Sequence, residues 1–336
     1  MNKRYYAFLM LICLVLLVSA CKKSGAATGG APREPFLGGT SGITINFEKD
    51  SPPPEVTDDK SFSFNVIVRL KNEGETKVDR NDIKVNLVGF DPNDFGHTFE
   101  DLRDAQPEDV LESRTRGAEG NVQEGITTFV TFPKGGDFFE PQKFIGNTEF
   151  TFRADVCYHY GTRSQTQLCV LRDMINIKDT GICQPTASKT VHSSGAPVQV
   201  TNFKQSVVGP NKISFSFDVS LSGNVDIFWS RDEKKPSNFD QGCPRTPKER
   251  RQVENKVGVE ITEIPVDPIF SNLKCGGLDN RNKGVVTLVN GRRTITCTVE
   301  LVQDRNDLQK QVGINLLYNI LDNKETKVLV KHLAEE

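Results

Sequence analysis

In Phe62, Phe64, Val66, Val68 and Leu70 every second residue is large and apolar, and Ser63, Asn65, Ile67 and Arg69 stand between them. That period of two belongs to a strand with one buried face, because alternate side chains of an extended chain point to opposite sides. A helix of the same sequence would scatter its apolar residues around its circumference. The pattern returns in Ile213, Phe215, Phe217, Val219 and Leu221, which alternate with Ser214, Ser216, Asp218 and Ser220. Each run follows a shorter apolar segment, GITINF (residues 42–47) before the first and PVQVTNF (residues 197–203) before the second.

Further strands are predicted at Ile83 to Phe90, Ile126 to Phe132, Glu149 to Tyr160, Thr166 to Leu171, Val257 to Ile264, Gly284 to Val289, Arg292 to Leu301, Gly313 to Leu321 and Lys327 to Lys331. Asn290-Gly291 separates two of these and suits a two-residue type I′ hairpin, since both positions of that turn take positive φ. Helical periodicity is weak; the best case is Asp101 to Ser113, where Pro107 would open one short helix. Short strands punctuated by Gly and Pro argue for an all-β protein of sandwich type. The repeated pattern, in a chain longer than one core usually supports, predicts two immunoglobulin-like β-sandwich domains in tandem. Their expected bounds are 42–183 and 196–336, joined by the polar segment QPTASKTVHSSG (184–195), where proteolysis is expected to fall.

The N-terminus predicts a location. Lys3 and Arg4 precede the apolar run Ala7 to Val18, about a dozen residues, where a membrane-spanning helix needs about 20. A short positive start, an apolar stretch of this length and small residues before a cut site are the marks of a secretory signal peptide, here 1–20. Val18-Ser19-Ala20-Cys21 resembles the lipobox of prokaryotic lipoproteins, which implies a lipid on the Cys21 thiol and cleavage just before it. Residues 21–41, poor in large apolar side chains, read as a flexible tether reaching about 20 to 25 Å.

The chain has 42 Lys+Arg against 44 Asp+Glu. Without Lys3 and Arg4 the balance becomes more acidic, which excludes a typical nucleic-acid binder. Beyond Cys13 and Cys21, six cysteines remain: Cys157, Cys169, Cys183, Cys243, Cys275 and Cys297. Outside the cytoplasm an even number reads as up to three disulfides. The alternative, a metal site, lacks any C-x-x-C pair, and only His159 lies beside one of them, so no metal is expected. Cys157 and Cys169 flank YHYGTRSQTQL, whose middle, near Gly161 to Ser164, suits a turn; a cross-hairpin bridge between them is expected. Cys275 and Cys297 would close a loop of about 20 residues, worth about 3 kcal/mol in the chain-entropy model. Cys183 and Cys243 are left as the third pair.

The order GITINF, PPPEV, FNVIVRLKNEGET, LVGFDP, CYHYGTRSQTQLC and SGAPVQVTNF resembles a group of uncharacterised archaeal exported proteins built from immunoglobulin-like domains. The strand-Lys-Asn-Glu-Gly element is also similar to domains of the CARDB type on prokaryotic surface proteins. The resemblance implies an immunoglobulin-like fold without catalytic activity, and the cysteine-rich second half departs from the tandem CARDB pattern.

Catalytic signals are missing. The sequence holds no G-x-S-x-G, H-E-x-x-H, P-loop or dinucleotide fingerprint, and His97, His159, His192 and His332 are scattered, so no enzymatic activity and no cofactor are expected. DPNDFG (91–96) has calcium-loop residues at positions 1, 3 and 6 but Phe95 at 5 and Leu102 at 12; DNRNKG (279–284) fails in the same way.

Two surface features are candidates for recognition: the basic run PRTPKERRQ (244–252), with Arg245, Lys248, Arg250 and Arg251, and the aromatic pair Tyr158 and Tyr160, read as a hairpin tip. The sequence therefore predicts a lipid-anchored cell-surface protein that acts by binding or envelope assembly. Its expected partners are the membrane, through the lipid on Cys21, and an envelope protein or glycan. A glycan- or solute-binding lipoprotein is the alternative, ahead of a secreted hydrolase.

Overall fold

The computed structural model describes residues 34–177, 182–229, 242–279 and 282–333. The signal peptide, Cys21 and the first part of the expected tether lie outside these residues. In chain order the strands begin with β1 (Ile43–Phe47), β2 (Glu55–Thr57), β3 (Val66–Asn72), β4 (Ile83–Val88), β5 (Thr115–Arg116) and β6 (Val122–Gln123). They continue with β7 (Thr127–Phe132), β8 (Thr148–Val170), β9 (His192–Ser193), β10 (Val198–Gly209), β11 (Lys212–Leu221) and β12 (Asp226–Phe228). After the helix α1 (Pro247–Val253) come β13 (Lys256–Ile261), β14 (Phe270–Cys275), β15 (Lys283–Thr287), β16 (Arg292–Leu301) and β17 (Leu308–Lys331). The all-β expectation holds.

The organising element is the antiparallel pair of β8 and β17, in register from Leu308↔Val170 to Val330↔Thr148. At about 3.3 Å per residue this ladder is on the order of 75 Å long before twist. Around it forms an eight-stranded sheet, β15-β13-β17-β8-β4, with β2 and β12 also on β17 and β9 on β8. Two smaller sheets, β1-β3-β7 and β10-β11-β16-β14, complete the framework beside the ribbon β5-β6. Every strand pairing is antiparallel except that of β2 with β17.

Alternation dictates which face of the long pair is buried. Phe152, Ala154, Val156, Tyr158 and Tyr160 of β8, with Val312, Ile314, Leu316, Tyr318 and Ile320 of β17, are buried on one side. They share one apolar core with Val66, Val68 and Leu70 of β3 and with Phe215, Phe217 and Ile295 of β11 and β16.

This arrangement corrects the expected division into domains 42–183 and 196–336. Residues 35–336 form one compact unit, and β8 from the first half pairs along its whole length with β17 from the second. The repeated alternation marks strands of two small sheets that cover one long sheet, and it does not mark two independent cores. The segment 184–195 is no free linker either. β9 pairs with Ser164 and Gln165, Lys189 N–H donates to the Phe203 carbonyl, and Ser194 N–H donates to the Arg163 carbonyl.

Other expectations change for local reasons. The strands predicted at Glu149 to Tyr160 and Thr166 to Leu171 are one strand: Gly161 to Ser164 stays extended because β17 supplies a partner for every residue there. Gly313 to Leu321 and Lys327 to Lys331 merge in the same way. Asn290 and Gly291 do take positive φ, 51° and 74°. The expected two-residue turn forms and is closed by reciprocal backbone bonds between Val289 and Arg292 (3.0 and 3.2 Å), but the pairing stops there, because β15 belongs to the large sheet and β16 to a small one.

The predicted helix after Asp101 is only a 3-10 turn, Phe99–Leu102. The helix of the described residues lies instead in the basic run, where Thr246 accepts from Glu249 N–H as N-cap and Pro247 takes the first turn.

The tether ends earlier than 41. Phe36 is buried, with the Arg163 guanidinium 5.8 Å from its ring centre, and the Leu37 and Gly38 N–H groups donate to the two carboxylate oxygens of Glu75 at 2.9 and 2.8 Å. Gly195 N–H donates to Glu75 as well, at 2.6 Å. Gly74 makes room for this junction, since a Cβ there would meet the Tyr160 hydroxyl at 2.0 Å and the carbonyls of Ser41 and Gly195 at 2.6 Å.

Candidate functional site

The two sides of β8 separate the residues singled out in the sequence. Even-numbered positions face the core, and this corrects the reading of Tyr158 and Tyr160 as a hairpin tip: both are buried in mid-strand. Their hydroxyls are structural. Tyr158 accepts from Ile43 N–H (3.3 Å), while Tyr160 donates to Asn72 Oδ1 (3.2 Å) and accepts from Thr76 N–H (3.4 Å). On β17, the Tyr318 hydroxyl meets Thr162 Oγ1 (2.9 Å) and accepts from Val198 N–H (3.3 Å). Desolvation pushes all three phenols well above their ordinary pKa, so they remain neutral hydrogen-bonding struts. Tyr158 and Tyr160 tie the long pair to the β1–β3 side and Tyr318 ties it to β10, which is how one sheet holds both small ones.

Odd-numbered positions face outward and build a recess. Register places Lys84, Cys157 and Leu321 in one row across β4, β8 and β17, and Asn86 and Asp155 in the next. These rows floor a cavity of about 290 Å³. One wall is the segment Gly242–Arg245, the other Arg103 and Asp104. The first wall is fixed by the Cys157–Cys243 disulfide and by Asn319 Nδ2, which donates to the Gly242 carbonyl (3.3 Å). The walls meet at the rim, where Arg245 grips both oxygens of Asp104 at 2.7 and 2.9 Å. The other carboxylate in the recess, Asp155, is held by Arg153 at 2.8 and 3.1 Å, an interaction that raises the guanidinium pKa further.

The basic run is thus divided among acids. Arg245 belongs to the cavity rim. Arg250 pairs with Asp226 (2.8 Å) and Glu254 (3.3 Å) over the Phe228 ring. Lys248 and Arg251 are exposed.

The remaining cysteines pair as Cys169–Cys183 and Cys275–Cys297. The last pair is the expected one, formed across neighbouring strands β14 and β16. The expected pairs Cys157–Cys169 and Cys183–Cys243 do not form, because Cys157 and Cys169 stand on one straight strand twelve positions apart, roughly 40 Å at strand spacing. Three disulfides indicate an oxidising, extracytoplasmic compartment. Asp91 of the rejected calcium loop accepts from Asn93 N–H (3.0 Å) as the cap of the 3-10 turn Pro92–Phe95, which buries Phe95.

A second surface feature went unnoticed in the sequence. At the end of the long pair where β8 begins, Phe62, Phe138, Ile145 and Leu333 expose their side chains on loops, Ile145 completely. Beneath them Phe64, Phe90, Phe95, Phe139 and Phe152 form a ring-on-ring cluster with centroids 4.1 to 6.1 Å apart. The loops are held together by Asp58, whose carboxylate is 1% exposed. It accepts from Phe144 N–H (2.9 Å), Leu333 N–H (3.0 Å) and His332 Nδ1 (2.8 Å), and these bonds hold its pKa far below the usual carboxylate range. The high phenylalanine count, 21 residues, was the available signal.

No family model matches the chain, and no curated protein matches it. Among solved structures it is similar to a serine-rich repeat adhesion glycoprotein of Streptococcus agalactiae, with 13% identity over 87% of this chain and 96% of that one. The TM-score is 0.17, too low to carry an argument about fold or function.

Proposed function

We propose that this chain is a surface protein of the cell envelope, anchored through a lipid on Cys21, that acts by binding another envelope protein and carries no catalytic activity. The observation that carries the reading is the apolar loop end. Four large apolar side chains are exposed at this one end, on loops braced by a buried carboxylate, and exposed apolar surface gathered in one place marks interaction sites. A rigid β scaffold with recognition residues on its terminal loops is a common plan for binding proteins. Ile175, Ile177 and Ile182 are also exposed near the opposite end, but residues 178–181 between them lie outside the described set, so the reading rests on the first patch.

The test is photo-crosslinking on intact cells, with a crosslinking residue at Phe138 or Ile145 and a control at Val208, which is as exposed as Phe138 but stands on β10. The reading expects one discrete envelope-protein adduct from Phe138 and Ile145, lost on Phe62→Ser with Leu333→Ser, and none from Val208. Equal labelling at all three positions would contradict it.

A further inference from the structure

The recess on the outer face of the large sheet plays no part in the protein-binding reading, and its chemistry is specific enough to name a ligand. We propose that it binds one acidic sugar residue, a monosaccharide unit carrying a carboxylate.

Size sets the first limit. About 290 Å³ is at the small end of ligand pockets and accommodates a single sugar ring with its substituents. Charge sets the second. The lining offers the cations of Lys84, Arg103 and Arg245 against the carboxylates of Asp104 and Asp155, and each carboxylate already holds a guanidinium in a two-point pair. The recess is therefore positive within a chain of formal net charge −2. Arg103 meets Glu100 at 3.4 Å and lies 5.7 Å from the centre of the Phe99 ring, but the Glu100 side chain is 83% exposed and the Phe99 side chain is exposed too, so these surface contacts hold the guanidinium weakly and it can turn to a ligand carboxylate.

The third limit is the mixture of surfaces, which favours a sugar over a bare anion. Asn86 accepts from the Asp104 N–H at its Oδ1 (2.8 Å), and its NH₂ is a group that can donate to hydroxyls. The paired carboxylates still have lone pairs to accept from hydroxyls. Val88, Leu321 and the Cys157–Cys243 bridge supply apolar surface for the C–H face of a pyranose ring. An inorganic anion would leave that surface unused.

The walls are preorganised. One is held covalently to the floor by the disulfide, which limits what binding must order there, and the exposed Arg245–Asp104 pair bridges it to the other.

The experiment is an amide NMR titration of the full mature chain with glucuronate and with N-acetylneuraminate. Glucose is the neutral control and inorganic phosphate the anion control. The expected result is saturable shifts of the Lys84, Asn86, Cys243 and Arg245 amides with at least one acidic sugar, at millimolar affinity or better, and at least tenfold weaker binding of glucose and phosphate. Arg103→Gln should weaken the acidic sugar at least fivefold, as should Lys84→Gln. Arg103 is a surface side chain, so its variant keeps the fold whatever the ligand. Addition of salt should weaken binding as well. Absence of saturable binding by either acidic sugar would overturn the proposal. So would phosphate binding as tight as the sugar's, or sugar binding that neither variant alters. Because the readout is local to the recess, it is independent of the crosslinking result at the apolar end.

Discussion

The two ends of the β8–β17 pair are built by different means. Where β8 ends, Cys169 is bonded to Cys183, and the Gln205 side chain both accepts from Cys169 N–H (2.8 Å) and donates to its carbonyl (2.7 Å). Arg305 is buried beside it, with its guanidinium donating to the carbonyls of Leu171 (2.8 Å), Pro210 (2.7 Å) and Val302 (2.5 Å) and to Asn211 Oδ1 (2.7 Å). Desolvation lowers its pKa, but an arginine stays charged there. Where β8 begins there is no disulfide among the described residues; packed phenylalanines and one carboxylate do the work. The first end is held by polar and covalent bonds. The second relies on apolar packing under loops that display further apolar surface, which suits the partner contact proposed for that end.

The comparison is broken most severely by separating the strands. A fragment of residues 196–336 keeps β17 but loses β8, its partner over 23 positions, together with Cys157. It is expected to be molten, with strong dye binding and no cooperative thermal transition; two-state unfolding of the fragment would restore independent domains.

Removing the longest covalent loop comes next. The Cys157–Cys243 bridge spans 86 residues, and in the chain-entropy model its replacement by two serines costs about 4 to 5 kcal/mol. The Cys169–Cys183 bridge spans 14 residues and should cost about 3. Denaturant unfolding of the two double variants checks the order.

A smaller effect is expected at the N-terminal junction. Glu75→Ala strips the acceptor from the Leu37, Gly38 and Gly195 N–H groups, at a cost of about 2 kcal/mol, and should free residues 34–41 to proteolysis. Resistance equal to that of the wild type would show that Phe36 packing alone holds the segment.

The smallest effect is confined to the phenylalanine end and depends on pH. The folded pKa of Asp58 is depressed, so its contribution to stability is complete above the unfolded value of about 3.9 and is lost progressively as pH falls from there towards the folded value. Asp58→Asn should flatten that part of the stability curve and speed amide exchange at Leu333 and Phe144 while leaving Cys169 and Leu171 unchanged. Equal loosening at both ends would erase the distinction.

These contrasts show which features were legible in the sequence. Strand period is local, so β11 and β16 were found at nearly their full extents from residues such as Ile213 to Leu221. The Cys275–Cys297 bridge was legible for the same reason, since its two strands adjoin. Length was not. The interior of β8 around Gly161 to Gln167 is polar and carries a glycine, which reads as a turn, and only its distant partner β17 keeps it extended. With the turn went the first cysteine pair and the domain boundary. The recess was hidden because its floor comes from the outward-facing positions of three strands far apart in sequence, and its rim pair, Arg245 with Asp104, spans 141 residues. Arg245 itself was singled out for its charge. Tyr158 and Tyr160 were misplaced because a pair of aromatics at an apparent loop and a pair in a buried strand have the same local sequence.

Native-state hydrogen exchange along the long pair tests the central claim most directly. If β8 and β17 form one continuous ladder shared by both halves of the chain, the amides of 152–168 and 312–328 should be among the slowest to exchange. Those around Gly161 should be as protected as those on either side, and increasing denaturant should bring all of them to a single opening step. Fast exchange at Gly161 to Gln165, or separate opening steps for residues before 183 and after 196, would contradict it.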